Sequence, residues 1–387
     1  MYSILTLNKI SENGLKNFSD DYVCGSEIEN PDAILVRSAS MHDMALSDST
    51  LAIARAGAGV NNIPVADMSE KGVVVFNTPG ANANAVKELV LCGLFLTSRK
   101  IVNGIEWVST LKGEDEVGKK VEKGKSAFVG PEIKGKKLGV IGLGAIGILV
   151  ANAAEKLGMK VYGYDPYISV DAAWNLSRSI IHAATVDEIY AECDYITIHV
   201  PLLDSTRNFI NAEAIAKMKD GVRILNFARD ALVNSADIIS ALGDGKVSAY
   251  ATDFPTEDLL GVSGVIAIPH LGASTPESEE NCAVMAVNQL RDFLENGNIK
   301  NSVNLPNVEA ARNGGTRVAV IHRNIPNVLS RILPAVSSDG QINIDNMVNK
   351  SKGEYAYTLI DVDGDVNEAD LTELKNLDGI IRTRIIK

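Results

Sequence analysis

Three polar residues stand soon after short apolar runs of the chain, and together their side chains can do acid–base chemistry. Arg229, Glu257 and His270 each follow a run that is typical of a buried strand. A histidine is the usual proton acceptor near neutral pH. A carboxylate bonded to its second nitrogen fixes the tautomer and favours the charged ring. An arginine offers two parallel hydrogen bonds to a carboxylate. This set suits hydride transfer from a hydroxyl-bearing carbon of a substrate that carries a carboxylate.

A hydride needs an acceptor, and residues 137–165 predict a dinucleotide site that would supply one. Gly142, Gly144 and Gly147 have the G-x-G-x-x-G spacing between two predicted strands. They would allow a tight turn, the approach of a pyrophosphate and close helix–strand packing, in that order. Asp165 lies 23 residues after the first glycine, where a carboxylate bonds both ribose hydroxyls and repels a 2′-phosphate. The motif therefore predicts NAD rather than NADP; the alternative is a glycine-rich helix start without a ligand.

The histidines differ in their settings. A lone histidine is more often a hydrogen-bonded core residue than a catalyst, but His270 stands in Pro-His-Leu-Gly-Ala-Ser-Thr, directly after a predicted strand on the cofactor edge. His42, His182 and His322 have no comparable context. His199, in the segment HVPL, is predicted to lie beside the cofactor rather than to act in the chemistry.

The composition is that of a globular protein, because 46% of the 387 residues are hydrophobic and 22% are charged. This length predicts two or three domains. The net charge of −12 argues against a general nucleic-acid or membrane-surface role. The four cysteines are scattered without a C-x-x-C pair, which favours reduced thiols in a cytoplasmic protein over disulfides or a metal site. The first residues lack a signal-peptide pattern, and no apolar stretch requires a transmembrane helix.

The segment before the glycine motif, up to about residue 95, is predicted to form a small α/β unit. Arg37-Ser38 and Arg55 each follow an apolar run. Ligands of open α/β sheets gather at the carboxyl ends of strands, so these residues indicate an anion site; surface arginines without a ligand are the alternative. Residues 112–137 carry eight lysines, which indicates a solvated loop.

Strands and helices continue to alternate after residue 165, as far as a linker predicted at 298–306. From about residue 317 the order changes to βαββαβ, the ferredoxin-like unit. This part has no cluster of catalytic residue types, so we interpret it as a regulatory or assembly module. Its predicted elements are a strand at 317–322, a helix at 326–333, strands at 341–348 and 355–361, a helix at 368–377 and a strand at 379–386.

Nine segments resemble, in the same order, segments of the D-isomer-specific 2-hydroxyacid dehydrogenases. Among these enzymes they are most similar to the members that act on 3-phosphoglycerate and carry a C-terminal ACT domain. The segments are VRSAS (36–40), ARAGAGVNNIP (54–64), FNTPGANANAVKELV (76–90), GLGAIG (142–147), HVPLLDSTRNFI (199–210), LNFARDALV (225–233), TDFPTE (252–257), PHLGAST (269–275) and IHRNIPNVL (321–329).

This resemblance implies an α/β fold in which a Rossmann-type domain is inserted in a flavodoxin-like substrate domain and followed by a ferredoxin-like ACT domain. The implied boundaries are 1–97 and 271–302 for the substrate domain, 98–270 for the NAD-binding domain, 303–316 for a linker and 317–387 for the ACT domain.

The resemblance also implies roles for single residues. The implied catalytic residues are Arg229, Glu257 and His270. The implied cofactor contacts are Gly142, Gly144, Ala145, Ile146, Gly147, Asp165, His199, Val200, Pro201, Thr206, Phe227, Ala228, Asp253 and Gly272. The implied substrate contacts are Arg37, Ser38 and Arg55, with the backbone of Ala58, Gly59 and Val60.

The implied activity is the oxidation of 3-phosphoglycerate to 3-phosphohydroxypyruvate with NAD, the first step toward serine. A dehydrogenase for another 2-hydroxy acid, of the glyoxylate or 2-oxoglutarate type, and an NAD-sensing corepressor-like protein are the alternatives. The resemblance further implies a dimer through the nucleotide domains, which ACT pairing would extend to a tetramer. L-serine would bind between two ACT domains at His322, Asn324 and Asn343; turn and cap residues in a module that only assembles subunits are the alternative.

Four positions depart from the family pattern. Asp230 replaces the usual glycine after the catalytic arginine. The segment D-F-P-T-E is one residue shorter than the family's D-V-F-x-x-E. Glu257 therefore matches the family's glutamate securely, whereas the match of Asp253 to the cofactor contact is less secure. Lys87 stands where many relatives have alanine, and it either touches substrate or is a solvated helix lysine. Asn327 replaces a glycine, and asparagine is the next most tolerant residue if that position has positive φ.

Overall fold

A computed structural model describes residues 1–312, 315–337, 342–367 and 371–387 of the chain. It divides into two compact units. The first unit consists of Met1–Asn82 and Pro276–Lys387, and the second of Ala83–Thr275. The predicted start of the second unit is residue 98. The unit begins earlier, at Ala83, because helix Ala83–Ser98 packs within it. No helix among the described residues is long and apolar enough to cross a membrane.

Strands and helices alternate through most of the chain. The strands are β1 (Tyr2–Leu7), β2 (Tyr22–Gly25), β3 (Ala33–Val36), β4 (Ala52–Arg55), β5 (Val74–Phe76), β6 (Lys137–Ile141), β7 (Lys160–Tyr164), β8 (Ile181–His182), β9 (Tyr195–Ile198), β10 (Val222–Asn226), β11 (Val247–Thr252), β12 (Val265–Ala267), β13 (Thr316–Arg323), β14 (Asn343–Lys352), β15 (Tyr355–Asp363) and β16 (Ile380–Ile386). The helices are α1 (Glu12–Leu15), α2 (Val65–Glu70), α3 (Ala83–Ser98), α4 (Ile101–Thr110), α5 (Val117–Gly124), α6 (Ala145–Lys156), α7 (Val170–Trp174), α8 (Val186–Glu192), α9 (Ala212–Lys217), α10 (Ser235–Gly243), α11 (Pro276–Asn296), α12 (Val328–Val336) and α13 (Thr372–Lys375).

Both larger sheets have the topology that the sequence predicts. The first unit holds a parallel sheet in the order β2-β1-β3-β4-β5, the flavodoxin-like arrangement. The second holds a parallel sheet in the order β12-β11-β10-β9-β6-β7-β8, which contains the Rossmann order on either side of β6. Their central strands are almost wholly apolar and buried, as strands covered on both faces should be. The predicted α/β fold class is confirmed.

The C-terminal module is an antiparallel sheet in the order β14-β15-β13-β16, which is the ferredoxin-like order. The predicted strand at 341–348 and helix at 368–377 begin outside the described residues, and within them β14 and α13 start at Asn343 and Thr372. The predicted helix start at Pro326 is wrong, because α12 starts at Val328 after Asn327.

This module shares one hydrophobic core with the flavodoxin-like part of the first unit. Ile321 and Leu359 of its sheet lie in the same buried cluster as Phe293 of α11. Residues 298–306, predicted as a linker, carry the buried Ile299 and Leu305, and Ile299 forms a β-bridge with Val308. The segment is therefore packed, since its apolar side chains fill space between the two parts.

The lysine-rich stretch at 112–137 is not a loop throughout. It contains α5 and a 3₁₀ turn, Lys125–Phe128. Lysines of α5 form exposed ion pairs with Glu114 and Glu116, which support the helix although none of its residues is buried. The loop prediction is wrong for this part because it used the number of lysines and did not consider how the charged residues are spaced along a helix.

Candidate active site

The glycine motif of the second unit forms the turn between β6 and α6. Gly142 has φ 91°, and a Cβ there would lie 2.7 Å from the carbonyl oxygen of His199. A Cβ on Gly147 would lie 1.9 Å from the carbonyl oxygen of Gly142, so the helix can approach the strand only without a side chain. Gly144 faces open space, since a Cβ there would have no atom within 4 Å. The loop therefore leaves a cradle at the start of α6, where backbone N–H groups bind phosphates.

Asp165 directly follows β7, beside this loop. One carboxylate oxygen accepts a hydrogen bond from the Leu143 backbone N–H (2.8 Å) and the other from the Tyr167 N–H (2.8 Å). Each oxygen keeps a lone pair for a further donor. The carboxylate is thus fixed next to the glycine turn and can still accept from ribose hydroxyls, as the motif predicts.

We expect Asp165 to set the preference for NAD. Replacing it by alanine removes the negative charge that repels a 2′-phosphate, and it removes acceptors for the ribose. The ratio of kcat/KM with NADP to kcat/KM with NAD should rise by about tenfold or more, which corresponds to roughly 1.4 kcal/mol. The control is Asp244→Ala at the exposed end of α10. A wild-type enzyme that uses both cofactors equally would contradict the assignment.

His199 lies just beyond β9, against the glycine turn. Its Nε2 is 3.0 Å from the Thr197 hydroxyl, and burial lowers the pKa of the ring to about 4, so the imidazole is neutral at pH 7. Nδ1 has no hydrogen-bond partner among the described residues. Thr206, a predicted cofactor contact, donates to the Pro201 carbonyl (2.7 Å) and accepts from the Leu203 N–H (2.8 Å). Its hydroxyl holds the loop after β9 together.

Asp253, at the end of β11, is 1% exposed and has one carboxylate oxygen without a partner among the described residues. Burial raises the pKa of its carboxyl, while the neighbouring His270 charge, the Gly272 N–H and the Arg229 charge act in the opposite direction. An unpaired buried acceptor at this edge suits an amide donor such as the nicotinamide carboxamide. With the open cradle at Gly144, this acceptor indicates that the residues of the second unit fit NAD.

Asn226, which the sequence reasoning missed, holds the turn that presents Arg229. It is fully buried at the end of β10, its Oδ1 accepts from the Ala228 N–H (3.2 Å), and its Nδ2 donates to the Arg229 carbonyl (2.8 Å). Asp230 begins a 3₁₀ turn, Asp230–Leu232, and is not among the residues with positive φ. The backbone here therefore does not require the family's glycine.

The structure brings Arg229 and His270 to one aromatic ring. The His270 and Phe254 ring centroids are 4.2 Å apart, and the Arg229 guanidinium carbon lies 5.7 Å from the Phe254 centroid. Glu257 is exposed at the start of a 3₁₀ turn, and no hydrogen bond or ion pair joins it to His270 within the described part of the chain. The expected carboxylate–imidazole pair is thus not formed here; such bonds often tighten only when ligand is present.

Arg37 and Arg55 follow neighbouring parallel strands of the first unit. Arg55 Nε donates to the Arg37 carbonyl (3.0 Å), and Arg37 forms an ion pair with Glu279 of α11 (2.5 Å). A Cβ on Gly57 would lie 2.2 Å from Arg55 Nη1, so this glycine makes room for the guanidinium. The pair with Glu279 is about 40% exposed on each side, and pairs of this kind are weak enough for a phosphate to displace them.

The backbone beside Arg55 supplies further donors. Among the described residues, the N–H groups of Ala58, Gly59 and Val60 have no hydrogen-bond partner. Free consecutive N–H groups of this kind bind anions. The Ser38 N–H, in contrast, is bonded to the side chain of Asn8 (2.9 Å), a residue with φ 73° that sequence reasoning missed. Ser38 therefore lies at the predicted edge of the sheet, but its backbone N–H already donates to Asn8.

Comparison with known proteins places the chain in a family. Residues 94–272 match the family model "D-isomer specific 2-hydroxyacid dehydrogenase, NAD binding domain". A D-3-phosphoglycerate dehydrogenase of Haemophilus influenzae is 32% identical over 343 residues, which cover 85% of this chain and 79% of that protein. The chain belongs to the D-isomer-specific 2-hydroxyacid dehydrogenase family.

Other members of the family are similar over different lengths. The D-3-phosphoglycerate dehydrogenases of Methanocaldococcus jannaschii and Synechocystis are 34% and 36% identical, and the aligned parts are 62% and 49% of those proteins. The chain thus spans only about half to three fifths of these longer relatives. As a 2-hydroxyacid dehydrogenase it is an NAD-dependent oxidoreductase.

Solved structures agree with this membership. NAD⁺-bound 3-phosphoglycerate dehydrogenase of Entamoeba histolytica has a TM-score of 0.59 and 26% identity, covering 78% of this chain and 98% of that one. Apo D-mandelate dehydrogenase of Rhodotorula graminis has a TM-score of 0.66 and 22% identity, covering 80% and 99%, which is a likeness of fold alone.

The residues predicted to bind serine are placed apart in the C-terminal module. His322 is 1% exposed, with Nδ1 2.8 Å from the Arg323 carbonyl and Nε2 2.9 Å from the Thr358 hydroxyl. Burial lowers the pKa of this ring. It is a hydrogen-bonded core histidine in this structure, so its predicted contact with a ligand is not supported by its position.

Asn324 and Asn343 stand at opposite ends of the antiparallel sheet. Asn324 Nδ2 donates to the Gly353 carbonyl (3.1 Å) in the hairpin that ends β14, while Asn343 begins that strand. The two ends of β14 are nine residue steps apart, which corresponds to about 30 Å. One chain cannot bring both side chains to one small ligand. Asn327 has φ 62°, so the left-handed conformation that asparagine tolerates is the one it adopts.

Proposed function

We propose that the chain oxidises 3-phosphoglycerate to 3-phosphohydroxypyruvate with NAD. The observation that carries this choice is the arrangement around Arg55, where Gly57 makes room for a guanidinium beside three free N–H groups. That arrangement offers bidentate donors for a phosphate and backbone donors for a carboxylate. The names of the relatives in H. influenzae and E. histolytica agree with a phosphorylated substrate.

The chemistry would be divided among side chains of the second unit. Arg229 would bind the substrate carboxylate and stabilise charge that develops on the C2 oxygen. His270 would accept the hydroxyl proton at its free ring nitrogen, and Glu257 would stabilise the resulting imidazolium once ligand draws the two together. NAD, when bound, accepts the hydride. Lys87, whose ammonium is bonded to Asn84 Oδ1 (2.6 Å), is assigned no role in this scheme.

Substitution of Arg55 tests the substrate. Arg55→Gln removes the charge and the fork, and charge-assisted hydrogen bonds contribute about 1.5–3 kcal/mol. We expect kcat/KM for 3-phosphoglycerate to fall roughly 10- to 150-fold, while D-glycerate, which lacks the phosphate, is affected only a few-fold. Arg178→Gln, on the exposed surface of the second unit, is the control. Equal losses with both substrates would place this arginine elsewhere, and a better unphosphorylated substrate would change the proposed activity.

We propose that the chain assembles through the second unit. Helix α4 buries none of its residues, and its apolar Ile101, Ile105 and Val108 are exposed. A groove of about 930 Å³ in the same unit is lined by Val102, Phe128 and other apolar residues. A second copy would cover this surface, and ferredoxin-like sheets could join two such dimers through their edge strands.

L-serine binding is the regulatory part of the proposal, and it depends on assembly. Because Asn324 and Asn343 lie apart in one chain, a serine site would combine Asn324 of one copy with Asn343 of another. We expect millimolar serine to lower the initial rate and raise the melting temperature, and Asn324→Ala or Asn343→Ala to abolish both effects. The matched control is Asn346→Ala in β14. An unchanged wild-type rate and melting temperature would show that the module only assembles subunits.

A further inference from the structure

Phe254 contacts both side chains that the proposed chemistry needs, His270 and Arg229. Its ring centroid is 4.2 Å from that of His270, with the planes tilted by 47°, and 5.7 Å from the guanidinium carbon of Arg229. These are contact distances for an aromatic pair and for a cation above a ring. One half-buried side chain therefore touches the proposed acid–base and the proposed substrate clamp.

The backbone holds this ring firmly. The Phe254 N–H donates to the hydroxyl of Thr252 (3.0 Å), which is fully buried at the end of β11. Thr252 pairs with Asn226 on one side and Ala267 on the other, so it is fixed in the sheet. Pro255 follows, and a proline restricts the preceding residue to extended conformations. The backbone of Phe254 is thus held, through Thr252, by three neighbouring strands. The side chains of His270 and Arg229, which the ring contacts, are exposed.

The His270 ring packs against the Phe254 ring in this structure. Within the described residues, no hydrogen bond joins His270 to Glu257, which would orient the imidazole, so the carboxylate does not fix the ring in this structure. The aromatic face also favours a positive charge above it, which holds for the guanidinium and for a protonated imidazole.

We propose that Phe254 is a positioning residue that orients His270 and Arg229 before substrate binds. The inference rests on those two residues being the catalytic pair of a 2-hydroxyacid dehydrogenase, and it does not depend on the substrate phosphate. Misplacing a reacting group by about 1 Å can cost on the order of 10²-fold in rate. Loss of the ring should therefore affect turnover more than binding.

The test compares a variant without a ring with one that keeps it. Phe254→Leu should lower kcat about 10- to 100-fold, while KM rises by a smaller factor because the Arg229 charge remains, and the Kd for NAD stays within about threefold. Phe254→Tyr should retain most of the activity. The acidic limb of the kcat/KM profile should move down by roughly half a pH unit in the leucine variant, because a protonated imidazole loses the aromatic face.

The assays use the best 2-hydroxy acid of a panel, so poor turnover of 3-phosphoglycerate itself would bear on the proposed function and not on Phe254. Melting temperature and NAD binding report folding, and Phe254→Met, a flexible side chain without a ring, replaces the leucine variant if that one unfolds. Wild-type kcat and an unchanged pH profile in a folded ringless variant would overturn the proposal. A tyrosine variant as slow as the leucine variant would also overturn it.

Discussion

Replacement of His270 by alanine should reduce kcat by about 10²–10⁴-fold, the usual contribution of a general acid–base. Oxidation of a 2-hydroxy acid must remove the hydroxyl proton as the hydride leaves, and an imidazole is the usual acceptor of such a proton in enzymes. The Arg229 guanidinium has no acceptor atom, so it cannot take this proton. A steady-state assay of NADH formation at saturating substrate measures the loss.

The Kd for NAD separates a chemical role from a structural one. The groups that fit the cofactor, from the Gly144 cradle to Asp253, remain in the variant, so NAD affinity should stay within a few-fold. His182→Ala, an exposed histidine of the same unit in β8, is the matched control and should retain full activity. Near-normal turnover by the His270 variant would remove this residue from the mechanism.

Features that depend on short stretches of chain could be predicted from the sequence. The roles of the three glycines follow from their spacing, because a turn with positive φ and a tight helix start are local requirements. The α/β class followed from the alternation of apolar runs and helices, and the arrangement of the two parallel sheets followed from the family resemblance. Asn327 was anticipated in the same way, as a local substitute for glycine.

Contacts between distant segments could not be predicted in this way. Asn226 and Asn8 hold their turns through side-chain bonds that composition does not reveal, and Phe254 reaches His270 from another strand end. His322 was predicted as a ligand contact because the family resemblance implies that role at its position. Its partner Thr358 lies 36 residues away, so the burial of the ring became visible only in the fold.

Arg317→Met should destabilise the first unit by about 3–5 kcal/mol, the cost of breaking a buried ion pair on one side. Arg317 is fully buried, and its Nε and Nη2 bond both carboxylate oxygens of Asp361 at 2.6 and 2.9 Å. Its remaining hydrogen bonds reach the carbonyls of Asn296, Ala310 and Ala311. One guanidinium thus joins the end of α11, the segment before β13 and the ferredoxin-like sheet. Without it, Asp361 would be buried with an uncompensated charge.

Chemical denaturation of the full chain measures this effect. Arg323→Met, at the end of the same strand β13, removes solvent-accessible pairs with Glu70 and Glu354 and a contact with the Tyr355 ring, and it should cost no more than about 1 kcal/mol. Adding Asp361→Leu to the Arg317 variant should recover much of the lost stability, because a buried pair replaced on both sides leaves no orphan charge. A loss below about 1 kcal/mol in Arg317→Met would mean that the ferredoxin-like module is held by its apolar contacts alone.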